Sequence, residues 1–469
     1  MMRGLRKKDE LLEQNEVEKP WPQILAILIG SLAGITDGIH YSWTSPFIVK
    51  ITEDKTNYNI TEEQASYFPT IQPVAMILFC PIFSVLADKI GRKQTFLLIT
   101  YPQILSWILS IVAKDATVFY LSRFCAGIAN GCLFAVFPTY VGEISNPTVR
   151  GTWGNLIATS MYFGELIVNV VGSYCGVKET AFIFLPLPVL FLLLFSMMPE
   201  SPYWFIMKGQ EENAKKSLRF LTRKKDVDQD YFKLKLDVDR QLSESGTWSD
   251  LIRIDSNRRA LVAGAFLRLT QQTSGMGIFL VYNQFIFEKS GGSLSREFCS
   301  IIYSALYVVL NIFVVTFIVN RFPRRILYFV SLTGAAIMLY LLATFFYVEE
   351  RYKLNNSGFG WVPITGTIVY QIFMGCGLCV IPTLMMSELY STSIKAKAMI
   401  VLMIAFAGGN IIINPLFYYL NTNFGFHTPF YFFAACNTAA IAVCYFIVPE
   451  TRGKTLEEIQ QILKNGISR

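Results

Sequence analysis

Residues 86–93 read Leu-Ala-Asp-Lys-Ile-Gly-Arg-Lys, and residues 318–325 read Ile-Val-Asn-Arg-Phe-Pro-Arg-Arg, with Asp88 and Asn320 in register 232 positions apart. Each is a short charged turn set between two long apolar runs, 67–87 and 94–113 in the first case, 299–319 and 326–348 in the second. About 20 apolar residues suffice for a helix to cross roughly 30 Å of hydrocarbon, so each turn joins two predicted membrane spans. Two further pairs repeat in the same order. Glu143 is followed by Arg150 and Glu388 by Lys395, while Pro199-Glu200-Ser201 returns as Pro449-Glu450-Thr451, at offsets of 245 and 250. Three echoes in one order mark a parallel repeat of six spans.

Working outward from these turns, the apolar runs number twelve. They lie near 22–44, 67–87, 94–113, 117–138, 152–174, 180–198, 260–288, 299–319, 326–348, 361–386, 397–420 and 428–448. At 469 residues, 53% hydrophobic and 16% charged, with mean hydropathy +0.41, the chain is too apolar for an ordinary soluble enzyme. The predicted organisation is a tail (1–21), a six-helix half (22–198), a polar helical linker (199–259), a second six-helix half (260–448) and a second tail (449–469). Within the linker, 213–221 has apolar residues at helical spacing, which reads as a brace for the two halves or a partner-binding helix. Residues 455–463 read as one more short helix.

The Lys and Arg count orients the chain. With both termini cytoplasmic and the long linker set aside, inner segments carry 18 basic residues against 8 outside. The sequons at Asn59 and Asn355 both fall in loops that this orientation puts outside, where glycosylation occurs. The net charge of +7 sits in short clusters between apolar runs and forms no nucleic-acid stripe. Most of the 9 cysteines lie inside the runs and read as small apolar residues. No metal, cofactor or catalytic set is predicted, and no Walker sequence for ATP-driven transport is present. The first run lacks a cleavage site, so it reads as an uncleaved first span.

Two groups of residues carry chemistry. Asp88, Arg92, Glu143 and Arg150, with Arg321, Arg324, Glu388 and Lys395 in the second half, sit at inner helix ends, where carboxylates and cations can pair between helices or simply fix topology. Pairs of this kind break when helix ends separate, so they favour a state closed on the inner side. In the seventh run Gln271-Gln272 and Tyr282-Asn283 supply neutral donors and acceptors inside an apolar helix. A solute with many hydroxyls and no charge needs such amides, although amides also serve as hydrogen-bond glue between helices.

These turns resemble the sugar-porter family of the major facilitator superfamily over about 25–462. Asp88 to Lys93 carries the likeness together with Arg123-x-x-x-Gly127, Pro138-x-Tyr140-x-x-Glu143, Arg150-Gly151, Pro199-Glu200-Ser201-Pro202, Gln271-Gln272-x-Ser274-Gly275 and Pro449-Glu450-Thr451-Arg452-Gly453. Within the family the chain looks closest to insect facilitative sugar transporters, including trehalose carriers. The resemblance implies an all-α major facilitator fold, an inner gate built on the charged set, sugar binding at Gln271, Gln272 and Asn410, and gating at Tyr282. It also implies a monomer in the cell membrane that needs no cofactor and whose partners are a small sugar and the bilayer. Several positions depart from the family pattern. Asn320, Pro323 and Lys395 replace its Asp, Gly and Arg; Gly277, Thr383, Ala158 and Gly375 replace its Asn, Trp, Gln and Glu. The expected consequence is a weaker second gate and a roomier, less polar cavity, which suits a disaccharide.

Acidic residues inside spans, Asp37 and Glu165, are the candidates for proton coupling, since charge within a membrane is costly and usually functional. Asp37 lies two residues from the position that a proton-coupled relative uses, so facilitated diffusion is the favoured expectation. A proton-coupled symporter, a carrier of another solute such as a polyol or organic ion, and a non-transporting sugar sensor are the alternatives. His40 reads as a satisfied polar residue.

Overall fold

A computed structural model describes residues 19–243, 246–289, 294–319, 321–352, 359–391, 394–454 and 456–465. Among them, eleven helices are long and apolar enough to cross a membrane. In chain order these are Trp21–Glu53, Glu62–Ile90, Arg92–Val112, Ala116–Ile144, Pro147–Tyr174 and Val177–Ser196 in the first half. Arg296–Ile318, Arg324–Tyr352, Trp361–Met386, Lys397–Phe424 and Thr428–Ile447 follow in the second. The remaining span, seventh in order, is broken into Asp255–Thr273, Met276–Val281 and Asn283–Lys289. A single helix over 260–288 was the expectation. Gly275 ends it with φ +91°, and Tyr282 interrupts it again at φ −114°, ψ 20°.

The first span also runs past its expected end at 44. It kinks at Trp43 and continues as Thr44–Glu53. Lys50 on this extension donates to the carbonyls of Gly172, Ser173 and Cys175 at 2.5, 3.1 and 3.0 Å, so its ammonium caps the C-terminal end of the fifth span. In the linker, Pro202–Met207, Glu211–Thr222 and Asp228–Ser243 fold over a small core of their own that includes Ile206, Leu218 and Tyr231. The predicted helix at 213–221 is the middle of Glu211–Thr222. After the last span, Leu456–Asn465 docks on the seventh, where Arg259 donates to the carbonyl of Leu463 at 2.8 Å.

Within the first half the second span packs on the fourth and the first on the fifth; in the second half the ninth packs on the tenth and twelfth. The halves meet along two seams, fifth against eighth and second against eleventh. Advancing each number by six, modulo twelve, exchanges the two seams, as the sequence repeat requires. Close approach of backbones fixes the first–fifth pair. A Cβ on Gly38 would collide with the carbonyl of Met161, and one on Gly164 with that of Ile35. Small residues at such crossings are how helices gain contact in lipid, where apolar burial gives no driving force.

Gly164→Leu is therefore expected to cost about 1–3 kcal/mol, the usual range for overpacking, and to lower the unfolding temperature in detergent. Gly142→Ala, where no atom lies within 4 Å of the added Cβ, is the matched control and should leave it unchanged. Equal unfolding temperatures for Gly164→Leu and the parent chain would refute this account of the crossing.

Candidate functional site

At the end of the bundle that carries Arg92, each half is tied by one charged knot. Arg92 is held in place because Gly91, at φ +112°, reverses the chain between the second and third spans. Its Nε and Nη2 both donate to Glu143 at 3.0–3.1 Å, and its Nη1 meets Asp88 at 2.9 Å and the carbonyl of Ala87 at 2.9 Å. Ser201 donates its hydroxyl to Glu143 as well. Glu200 accepts the backbone N–H groups of Arg92 and Lys93 at 3.0 Å and so caps the third span, whose first-turn amides have no partner inside the helix. Burial pushes the Glu200 carboxyl up while these N–H groups pull it down.

The second half repeats the knot with looser geometry. Glu450 accepts the N–H groups of Arg324 and Arg325 at 3.0 Å, and Thr451 donates to Glu388. Arg324 reaches Glu388 with Nη2 alone, at 3.5 Å, and its Nε is buried without a partner among the described residues. Arg321 is exposed and makes no ion pair among them. Nor does Arg150 pair with Glu143: it donates to the carbonyls of Gly142 and Ser145, capping the fourth span. Lys395 lies near enough to Arg150 that this like charge adds to burial in pressing its ammonium below the usual lysine range. Among the described residues, the ion pairs of the two knots therefore each lie within one half. Asn320 falls outside the described residues. The roles of Glu200, Ser201, Glu450 and Thr451 were missed from sequence, although their recurrence as Pro-Glu-Ser and Pro-Glu-Thr was the available signal.

The amides divide between two tasks. Gln271 accepts from Arg268 at 2.9 Å and donates to the carbonyl of Cys379 at 3.4 Å, so both ends of its amide are engaged. Gln272, one residue on, has a buried Oε1 with no partner among the described residues. A Cβ at Gly277 would lie 3.0 Å from Asn410 Oδ1, 3.2 Å from Gln272 Oε1 and 4.0 Å from the Tyr41 hydroxyl. Tyr41 and Asn410 therefore face the same point. Gln272, Asn410 and Tyr41 thus surround one point between the halves, on three different spans. Tyr41 was not singled out from sequence, because nothing in the first run separates it from its neighbours. Asn283 is fully buried and both its amide atoms lack partners among the described residues. Thr383 is exposed, and no hydrogen bond joins it to this group.

Toward the opposite end the halves are sealed. The Tyr282 hydroxyl donates to the Ser66 carbonyl at 3.1 Å, Thr44 donates to that of Val281 at 3.3 Å, and Gln284 donates to Ser173 at 3.1 Å. Arg296 reaches Glu53 at 3.7 Å, and Asn169 joins Ser300 and Ser304. A cavity of about 100 Å³ between Glu53, Glu62, Ser66, Tyr282 and Phe417 has room for only a few waters. Asn59 is exposed at this end, and Asn355 lies outside the described residues.

The two buried acids have neutral partners. Asp37 accepts from Asn130 at 2.6 Å, and Glu165 accepts from Ser304 at 3.5 Å. Arg123 lies flat over Trp43 at 4.1 Å and donates to the His40 carbonyl and to the hydroxyls of Ser110 and Ser122. His40, expected to have its polar atoms satisfied, instead stacks on Trp107 at 4.2 Å with neither ring nitrogen partnered among the described residues.

A family model described as "Sugar (and other) transporter" matches residues 26–463. The chain is 30% identical over 454 residues to the facilitated trehalose transporter Tret1 of Aedes aegypti, covering 96% of itself and 56% of that protein. To Tret1 of Culex quinquefasciatus it is 30% identical over 456 residues, covering 95% and 87%. To trehalose transporter 1 of Drosophila melanogaster it is 31% identical over 454 residues, covering 96% and 52%. The chain thus spans about half the length of several of these relatives. Among solved structures, the proton:xylose symporter XylE bound to 6-bromo-6-deoxy-D-glucose superposes with a TM-score of 0.74 at 19% identity, covering 94% of this chain and 99% of that one. The inward-open conformation of XylE from E. coli gives 0.75 at 19% identity, covering 93% and 98%. At these identities the likeness is one of fold.

The knots make a measurable difference between the halves. A double-mutant cycle of Arg92→Gln with Glu143→Gln should give a coupling of about 1–3 kcal/mol in detergent unfolding, and the cycle of Arg324→Gln with Glu388→Gln less than half of it. Equal couplings would contradict the looser second geometry.

Proposed function

Because the chain belongs to the sugar transporter family, we propose that it carries a sugar across the cell membrane by facilitated diffusion, with both termini cytoplasmic. The halves, 22–198 and 260–448, rock about a solute held between them, and 199–259 braces them on the cytoplasmic side. The observation that carries this reading is the convergence of Gln272, Asn410 and Tyr41 on one point between the halves, with a buried amide oxygen left for a hydroxyl. A neutral polyhydroxyl solute satisfies such a group; an apolar one leaves it unpaired at a cost of about 1–3 kcal/mol. With the Tyr282 end sealed, the conformation is closed on the side that this orientation puts outside.

Three observations support uniport over proton coupling. Asp37 and Glu165 are each held by a neutral partner, and Arg123 is wrapped by neutral acceptors. Away from the Arg92 knot at the helix ends, no acid–cation pair stands in the spans of the first half, among the described residues, to open and close with protonation. A disaccharide is favoured by the loss of bulk at Gly277 and Thr383 and by the names of the relatives, which are trehalose transporters.

Uptake of labelled glucose and trehalose in oocytes expressing the chain is expected to saturate, to be the same at external pH 5.5 and 7.5, and to fall at least tenfold in Gln272→Ala at equal surface amount. Trehalose should be the better substrate. Uptake that rises at the lower pH with inward current would replace uniport by proton symport. Binding without flux would make the protein a sensor.

A further inference from the structure

Two arginines lie inside the spans, and they are treated differently by their surroundings. Arg123 gives three hydrogen bonds to a carbonyl and two hydroxyls and stacks on an indole, with only its Nε left without a partner among the described residues. Arg268, on the seventh span and 5% exposed, donates Nε to the thioether of Met386 and Nη1 to Gln271, and lies 5.2 Å from the Phe406 ring. Its Nη2 has no hydrogen-bond partner and its guanidinium no carboxylate, among the described residues. A thioether is a weak acceptor, so most of the charge is left to a ring face and one amide.

The position of Arg268 is as informative as its partners. Gln271, which it holds, reaches the carbonyl of Cys379; the Cys379 thiol lies 2.9 Å from the Tyr307 hydroxyl; Tyr307 meets Tyr162 ring to ring at 4.4 Å. Tyr162 in turn lies within electrostatic reach of Arg268. These groups come from the fifth, seventh, eighth and tenth spans, so Arg268 stands at the seam between the halves, one helical turn from Gln272. A fixed cation beside a site of neutral amides is not needed to hold a neutral sugar. An uncompensated charge at such depth is expensive, and it is kept where it has a function.

We propose that Arg268 selects for a sugar bearing a carboxylate, of the hexuronate class, with the guanidinium taking the carboxylate and Gln272, Asn410 and Tyr41 the hydroxyls. Arg presents a planar fork to a carboxylate, and the pairing is worth most where water is excluded. The inference rests on the carrier reading above. It narrows the solute by charge: among monosaccharides of one size, the acid is preferred to the neutral sugar.

The test is uptake of labelled D-glucuronate, D-glucose and trehalose in oocytes expressing the full chain, scored per surface copy. Half-saturation for glucuronate is expected at a concentration at least tenfold below that for glucose. Arg268→Gln should lower the glucuronate-to-glucose uptake ratio at least tenfold, measured within the same variant, and Arg268→Lys should keep part of it. The wild-type ratio stands as a test even if Arg268→Gln fails to reach the surface. Glucose or trehalose uptake without glucuronate uptake would overturn the inference and leave the carrier reading intact. So would glucuronate uptake indifferent to Arg268→Gln. Uptake of none of the three by a surface-expressed chain would sink both.

Discussion

Hydrocarbon offers the peptide group no hydrogen-bond partner, and the form of this molecule follows from how it meets that demand. The seventh span is broken twice, and three carbonyls at its breaks are taken by named side chains. Ser274 donates its hydroxyl to the Gln271 carbonyl at 2.8 Å, Tyr370 donates to that of Ser274 at 2.9 Å, and Thr44 from the other half takes that of Val281. The breaks are tolerated because they are buried between neighbours. In return they free Gly277, Tyr282 and Asn283 from a single helical face, and the point shared by Gln272, Asn410 and Tyr41 lies within this irregular stretch.

The same demand explains the helix ends. First-turn N–H groups of the third and ninth spans are received by the carboxylates of Glu200 and Glu450, which arrive from the chain just after the sixth and twelfth spans. Last-turn carbonyls of the fourth and fifth spans are received by Arg150 and Lys50. Pro-Glu-Ser and Pro-Glu-Thr recur because capping and knotting use adjacent residues: the glutamate caps, and the hydroxyl beside it holds Glu143 or Glu388. A repeated short sequence thus marks a repeated backbone need.

The fold was legible because its signals are local: apolar run length, charged turns and their spacing. The break in the seventh span was only half legible. Gly275 gave a reason for a bend, yet the apolar residues around it, Met276 to Val281, read as uninterrupted helix. Side-chain partners were less legible still. Adjacent Gln271 and Gln272 look equivalent in sequence, three and four residues after Arg268 and so both within its reach, and only the hydrogen bond that Gln271 accepts in the structure separates them. Glu143 and Arg150, at a matched spacing of seven, suggested a pair; the chain instead turns between them at Ser145 and Asn146, and Arg150 faces the carbonyls behind it. Tyr41 could not be found, because which of two adjacent aromatics faces the seam depends on how the first span is rotated against its neighbours.

The location of the ion pairs bears on how the halves move. Pairs that bridged the halves would have to break and reform whenever one half tilted against the other, and each break would leave a half-buried charge exposed to a poor solvent. Here Arg92–Glu143 and Arg324–Glu388 each lie within one half, so they stiffen the body that moves and do not oppose its motion. What changes on tilting is mainly contacts between neutral groups, among them Tyr282 with Ser66 at one end and Asn155 and Thr159 with Asn311 nearer the other, together with the long Arg296–Glu53 pair at the sealed end. Neutral hydrogen bonds contribute about 0.5–1.5 kcal/mol each, and water replaces them when they open. A handful at each end gives two states of nearly equal energy, which is the condition for a solute with modest affinity to shift the balance between them.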